Sequence, residues 1–200
     1  MDKQENRTKL AFHIIRSRRK TISMTVKPEG VEIRAPLRMP VEQIRQFVEA
    51  HGDWIQRNAA RQLQRQQELE AIPKLTREEL QDLAEKARIY IPERVSFYAS
   101  RIGVSYGKIT IKRQRSRWGS CSAKGNLNFN CLLMLAPAEV IDSVVVHELC
   151  HRKEMNHSDK FYREVQQAFP DYRECRRWLK EHGESILCRV PEKDDRQTGR

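Results

Sequence analysis

The 200-residue sequence predicts an α+β fold, in which a β-rich N-terminal extension precedes a core that mixes helices and strands. Three observations support this prediction. Apolar and polar residues alternate between Lys9 and Pro36, as they do in half-buried strands. Two further strand-like segments flank the turn at Ala123-Lys124-Gly125. Between and after these regions, apolar residues recur at helical spacing.

The extension is predicted to contain a β-hairpin followed by helices. Its alternating apolar residues lie on either side of Pro28-Glu29-Gly30, a combination that favours a turn. Pro40 suits the first turn of a helix that starts at Val41. This helix is expected to bend or break near His51-Gly52 and to continue to Leu69.

The core begins with a clear helix signal. Thr76 and Glu79 form a capping-box pattern, which predicts the start of a helix that runs to about Tyr98. A strand is expected within Val104–Ile111, ahead of the second hairpin. The remaining helices are predicted from Ala138 to Met155, from the N-cap Ser158 onward, and from Asp171 to His182, where Gly183 ends the last one.

The sequence divides into three predicted regions. Ile72-Pro73 interrupts the helical pattern and separates an extension, residues 1–72, from a core, residues 73–187. Residues 188–200 are predicted to form a disordered tail, because the chain is polar and charged from Pro191 onward.

The segment His147-Glu148-Leu149-Cys150-His151 carries the strongest chemical signal. Residues four apart share one face of a helix, so His147 and His151 can bind the same metal ion. Glu148 borders this face, where it can act on a metal-bound water. A catalytic zinc site needs a third protein ligand, and His157 is the natural candidate.

A purely structural interpretation of this segment is an amphipathic core helix with histidines at its surface. The two interpretations are compatible, because the residues before His147 also form an apolar face. Histidine is scarce, with six in the chain. A chance match to this motif is expected in only about one such chain in a hundred.

Several runs around the motif match a known pattern: Arg117–Ser122, Asn126–Asn130, Val144–His151, Asn156–Ser158 and Phe161. Together they resemble the YgjP-like metallopeptidases, which are related to the WLM and SprT-type minimal zinc proteases. The resemblance spans roughly Ile14 to Lys180. It implies a zinc-dependent hydrolase with the three histidines as ligands and Glu148 as the catalytic residue. It also implies a zincin-like metallopeptidase core, with the metal site on a central helix behind the N-terminal extension.

The predicted reaction is the hydrolysis of polypeptides. Zn²⁺ on neutral imidazoles lowers the pKa of its bound water from about 15.7 toward about 7. Glu148 would take the proton as the water attacks. Candidate contacts to the substrate or transition state are Arg117, Trp118, Tyr162 and Arg163. The alternatives are core packing for Trp118 and Tyr162, surface charge for Arg163, and an ion pair with an acidic side chain for Arg117. Asn130 is expected either to support a zinc ligand or to cap a turn.

Composition limits the class of protein. No apolar run is long enough to span a bilayer, and the charged N-terminus lacks the apolar core of a signal peptide, so a cytoplasmic protein without a membrane partner is expected. The net charge of +11 favours anionic partners. Basic runs at Arg16–Lys20 and Lys112–Arg117 are candidate contacts for nucleic acid or a nucleotide, although a solvated surface is the simpler interpretation of the first.

The five cysteines predict no disulfide framework, because they are odd in number and include no CxxC pair. Cys150 is expected to be a small buried residue. Cys121 is a candidate nucleophile, but no base can be assigned to it, which favours a structural role.

Two other functions remain open beside the peptidase. Members of the resembled family have been described as nucleoside-triphosphate pyrophosphatases that act on UTP, and the basic residues at 112–117 could hold a triphosphate. The related WLM and SprT-type enzymes suggest a nucleic-acid-associated protease or binding module. Strong salt dependence of DNA affinity would favour the latter.

Overall fold

A computed structural model describes residues 12–27 and 30–191. These residues divide into two compact units, of which the N-terminal unit ends at Ala71 and the C-terminal unit begins at Ile72. Each unit combines a three-stranded sheet with helices, so the chain has the predicted α+β architecture.

The N-terminal unit has strands β1 (Phe12–Ser17), β2 (Ser23–Lys27) and β3 (Gly30–Pro36), followed by helices α1 (Val41–Ala50) and α2 (Gly52–Glu70). Strand β3 is central, parallel to β1 and antiparallel to β2. The antiparallel pair confirms the predicted hairpin, although Pro28 and Glu29 of its turn, and Lys9–Ala11, lie outside the described residues. The predicted helix break near His51 is also confirmed.

The alternation of β3 determines the core of this unit. Val31, Ile33 and Ala35 are buried on one face and pack with Ile44 of α1 and Ile55 of α2. The apolar residues of β3 therefore lie where a two-residue period places them, on the side covered by the helices.

Part of the first basic run has a structural role. The Nη1 atom of Arg16 donates hydrogen bonds to the backbone carbonyls of Pro36, Leu37 and Met39, at 3.2, 3.2 and 2.7 Å. Arg16 thus holds the segment between β3 and α1.

The C-terminal unit contains a second sheet and four helices. Its elements are α3 (Arg77–Ile102), β4 (Ile109–Lys112), β5 (Gly119–Cys121), β6 (Leu127–Asn130), a 3-10 turn (Cys131–Leu135), α4 (Ala138–Cys150), α5 (Asp159–Ala168) and α6 (Tyr172–Leu187). Strand β6 is central, parallel to β4 and antiparallel to β5. The predicted second hairpin and the Thr76–Glu79 capping box are both confirmed.

Helices α3 and α4 form the centre of this unit, with Val145, Val146 and Leu149 of α4 buried in its core. An ion pair joins the two helices: Arg94 donates to both carboxylate oxygens of Asp142, from Nε at 2.7 Å and from Nη2 at 2.6 Å. Tyr98 donates to the same carboxylate at 3.1 Å. The pair satisfies Asp142, which faces the interior of the unit.

Three predicted helix ends differ from the structure, and the first is that α3 continues past Tyr98 to Ile102. Helix α4 ends at Cys150 rather than Met155, because the N–H groups of Lys153 and Glu154 both bond the Cys150 carbonyl and close a turn. Helix α6 passes through Gly183 and ends at Leu187. A Cβ at position 183 would lie 3.2 Å from Cζ2 of Trp118, so this glycine allows the indole to pack against the helix.

The segment after α6 lies against the C-terminal unit. Val190 is 1% exposed, and the N–H of Leu75 donates to the carbonyl of Arg189 at 2.8 Å. The predicted tail therefore cannot include Val190, which is buried because it completes the core beside Leu75. Residues 192–200 lie outside the described residues. Within residues 12–27 and 30–191, no helix has the length and hydropathy of a membrane span.

Candidate metal centre

The C-terminal end of α4 carries two of the predicted ligands. The helix is buried along most of its length because apolar residues fill its sides. His147 lies in its last turn and His151 at its C-cap, four residues apart, so both imidazoles emerge on one side. Their ring centroids are 5.0 Å apart.

The early end of α4 brings the third histidine into place. The chain turns after Cys150, and α5 begins at its N-cap Ser158, whose Oγ accepts a hydrogen bond from the N–H of Phe161. This reversal places Nε2 of His157 3.1 Å from Nε2 of His147. One nitrogen of each of the three histidines lies within 4.8 Å of the others.

The buried ring of Phe161 supports the histidine cluster. It stacks on His151, with centroids 4.6 Å apart, and meets His147 and His157 edge-on at 4.9 and 5.0 Å. The first turn of α5 therefore restricts the orientation of all three imidazoles.

Hydrogen bonds to Nδ1 determine which nitrogen faces the cluster. Nδ1 of His151 donates to the carbonyl of Glu154 at 3.1 Å, and Nδ1 of His147 lies 2.8 Å from the hydroxyl of Tyr172. With the Nδ1 proton engaged, Nε2 keeps its lone pair for a cation. Such outer hydrogen bonds are the usual partners of metal-binding histidines, and the convergent lone pairs suit a metal ion.

Burial keeps the two helix histidines neutral. Burial, reinforced by the neighbouring charges of His151, His157 and Arg176, lowers the pKa of His147 to about 3. Burial also lowers the pKa of His151. Tyr172 remains a protonated phenol because burial raises its pKa to about 12. Neutral imidazole is the form that binds zinc.

Glu148 lies beside the cluster in an unusual environment. It is 5% exposed, and its Oε2 atom has no hydrogen-bond partner among the described residues. Burial raises the pKa of its carboxyl group to about 8. A Cβ at position 119 would lie 2.7 Å from Oε1, so only a glycine in β5 leaves room for this carboxylate.

A cavity of about 290 Å³ opens in front of His147 and Glu148. Residues 116–119 form one side of it, and Tyr172, Arg176 and Leu179 of α6 form another. These three residues are spaced by four and three, so they share one helix face.

Of the four candidate contact residues, two line the cavity and two do not. Arg117 and Trp118 line the cavity. Tyr162 and Arg163 are on α5 and do not line it; the Tyr162 ring lies beside His157, with centroids 6.2 Å apart, and Arg163 is exposed. The cavity therefore brings two of the four together with His147 and Glu148.

Asn130, whose role the sequence left open, and the two cysteines Cys121 and Cys150 have structural contacts. Asn130 caps the 3-10 turn through Leu132 and donates from Nδ2 to the carbonyls of Gln114 and Arg117, at 2.6 and 2.8 Å. Burial raises the pKa of the Cys121 thiol, which donates to a neighbouring carbonyl, so its contacts favour a structural role. Cys150 is fully buried, as predicted.

Three residues near the cluster escaped sequence reasoning. Tyr172 and Arg176 belong to a helix that follows the motif by more than twenty residues, and no spacing rule connects them to it. Gly119 lies in a matched run, but only the structure shows that its missing side chain makes room for Glu148.

A family model and two solved structures are similar to this chain. The model of the family described as YgjP-like, metallopeptidase domain, matches residues 20–81 and 66–182. The solved structure of the jannalysin metallopeptidase zymogen from Methanocaldococcus jannaschii is 22% identical, with a TM-score of 0.41, over 46% of this chain and 94% of that one. The abylysin metallopeptidase zymogen from Pyrococcus abyssi is 22% identical, with a TM-score of 0.42, over 46% and 93%. No curated protein matches. Because the family model covers more than half of the sequence, the chain belongs to the YgjP-like metallopeptidase family.

Proposed function

We propose that this metal-dependent peptidase uses zinc held by His147, His151 and His157, with Glu148 as the general base. The observation that carries the proposal is the convergence of three imidazoles beside a buried carboxylate oxygen that has no hydrogen-bond partner in the part of the chain that the structure describes. Nitrogen donors suit zinc, and three protein ligands leave one position for water or substrate. A structural zinc site would instead require a fourth protein ligand.

The chain's own residues account for the proton movements of peptide hydrolysis. A bound zinc ion would supply Lewis acidity, which makes water more acidic and polarises the scissile carbonyl. Burial alone favours the protonated form of Glu148, and a cation held by the three histidines would favour its ionised form instead. In that form the Glu148 carboxylate takes a proton from the attacking water and passes it to the nitrogen of the leaving amine as the C–N bond breaks. Tyr172 and the Glu154 carbonyl hold the imidazoles in position through this sequence.

Two of the candidate contact residues are retained for the substrate. Arg117 and Trp118 line the cavity in front of Glu148, where a bound peptide would lie. Tyr162 and Arg163, which do not line it, are less suited to contact the transition state.

The test compares zinc-loaded wild type with the Glu148→Gln variant on an unfolded protein and on UTP, with zinc content measured in both proteins. We expect the wild type to cleave the protein, and the variant to bind equal zinc while losing roughly 10²–10⁴-fold in kcat. UTP turnover without proteolysis would instead assign the site to a pyrophosphatase. Full activity in the variant would exclude Glu148 as the base. DNA affinity measured against salt concentration tests the nucleic-acid alternative.

A further inference from the structure

The walls of the cavity carry more positive charge than the proposed chemistry uses. Arg117, in the loop before β5, and Arg176, on helix α6, are both among its lining residues. Glu148 is the only acidic residue among the lining residues, and its side chain packs closely against Gly119. An anion entering the cavity would therefore meet two cations.

Among residues 12–27 and 30–191, no carboxylate forms an ion pair with Arg117 or Arg176. By contrast, Arg94 donates hydrogen bonds from Nε and Nη2 to the carboxylate of Asp142. A planar guanidinium with its donors free is suited to bidentate recognition of a carboxylate.

The backbone of Arg117 and the guanidinium of Arg176 each have one restraining contact. The carbonyl of Arg117 accepts a hydrogen bond from Nδ2 of Asn130 at 2.8 Å, which fixes its backbone. The guanidinium of Arg176 lies over the Tyr162 ring, 5.5 Å from its centroid, in a cation–π contact. Tyr162 therefore contacts a lining residue without lining the cavity itself.

The rest of the cavity suits a short acidic side chain. Val144, Leu179 and the half-buried Trp118 provide apolar surface for a methylene stem. A volume of about 290 Å³ lies at the lower limit of the range of about 300–1,000 Å³ found for small-molecule sites. It therefore fits one side chain or a chain terminus better than a nucleoside triphosphate.

We propose that Arg117 and Arg176 form an anion subsite beside the metal centre, which selects peptides with a carboxylate close to the scissile bond. The carboxylate belongs either to an Asp or Glu side chain or to the C-terminus of the peptide. This inference rests on the proposed peptidase function, since it names the substrates of the same site.

The experiment begins with mass-spectrometric mapping of the bonds that the zinc-loaded wild type cleaves in an unfolded protein. A peptide around one site is then made in matched pairs, with Glu or Gln at each neighbouring position and with a free or amidated C-terminus. The ratio of kcat/KM within each pair is measured for the wild type, Arg117→Gln and Arg176→Gln. Arg177→Gln is the matched control, because Arg177 is exposed on the same helix and does not line the cavity.

We expect the wild type to prefer the carboxylate peptide by on the order of tenfold, as for a hydrogen bond to a charged group. Arg117→Gln and Arg176→Gln should lower this ratio several-fold, whereas Arg177→Gln should keep it. Preference for Glu at an internal position identifies a side-chain carboxylate, and preference for the free terminus identifies the α-carboxylate. Equal ratios in the wild type, or an unchanged ratio in both cavity variants, would overturn the inference.

A binding measurement tests the anion subsite independently of whether the protein is a peptidase. Fluorescein-labelled forms of the same pairs are titrated with zinc-loaded Glu148→Gln, alone and combined with Arg176→Gln, and anisotropy is recorded. If the wild type cleaves no substrate, model peptides with and without a carboxylate still test the subsite by this route. Loss of the carboxylate preference on Arg176→Gln supports the subsite, and equal binding of both peptides refutes it.

Discussion

The hydroxyl of Tyr172 lies 2.8 Å from Nδ1 of His147, although 25 residues separate them in the chain. This contact joins the first turn of α6 to the last turn of α4. It determines the orientation of the imidazole and which of its nitrogens faces His157.

Tyr172→Phe should weaken zinc binding by roughly 10–100-fold, the usual cost of removing an outer partner of a histidine ligand. The ring remains, so packing is kept. Competition with a chromogenic chelator measures the affinity. Tyr162→Phe is the control, because Tyr162 approaches His157 through its ring rather than through a hydrogen bond to a ligand nitrogen. Equal affinities in both variants would show that Tyr172 does not orient His147.

His157→Ala should lower zinc affinity by roughly a hundredfold or more, because one of three proposed ligands is lost. His182→Ala should leave it unchanged, since His182 contacts Trp178 on α6 and lies outside the cluster. The number of zinc ions per chain, measured by atomic emission after dialysis, shows which variant has lost zinc. Full occupancy in His157→Ala would exclude this histidine as a ligand.

Gly119→Ala should impair hydrolysis more than zinc binding. The added methyl would lie 2.7 Å from Oε1 and 2.8 Å from Cγ of Glu148, so the carboxylate must move. We expect kcat to fall on the order of 10²-fold, as for a displaced general base, with zinc content retained. Gly52→Ala is the control, because no atom lies within 4 Å of a Cβ there. Wild-type kcat in Gly119→Ala would mean that the position of Glu148 is not critical.

Asp142→Asn should destabilise the protein by about 1–3 kcal/mol, because it leaves the partly buried Arg94 without its charged partner. Lys153→Gln, which breaks the more exposed pair with Glu164, should cost only about 0–1 kcal/mol. Urea unfolding followed by circular dichroism measures both. Similar losses of unfolding free energy in the two variants would show that burial does not make the Arg94–Asp142 pair the more important one.

Local signals made much of the fold predictable. The Thr76–Glu79 capping box and the alternation at Val31, Ile33 and Ala35 depend on neighbouring residues, and the structure has both. His147 and His151 are likewise related by helical spacing. His157 is predicted because a catalytic zinc site needs a third ligand and this histidine follows Asn156, a residue suited to a turn. The turn after Cys150 brings it to the others.

The parts that could not be predicted depend on contacts between distant segments. A glycine such as Gly183 often ends a helix. Here its missing side chain makes room for Trp118, and the helix continues past it. Tyr172 and Arg176 acquire their positions only when α6 packs on α4. No periodicity in the sequence encodes such a pairing.

The hydrogen bond from Leu75 to Arg189 has a consequence for the architecture of the C-terminal unit. Lys74 also donates to the carbonyl of Cys188, and Arg189 donates to that of Pro73, so the entry and exit of the chain are adjacent. A unit closed in this way can be circularly permuted: its two ends can be joined by a short linker and new termini opened in a surface loop. We therefore expect a permuted unit, in which α3 to α6 follow one another in a different order, to form the same histidine cluster.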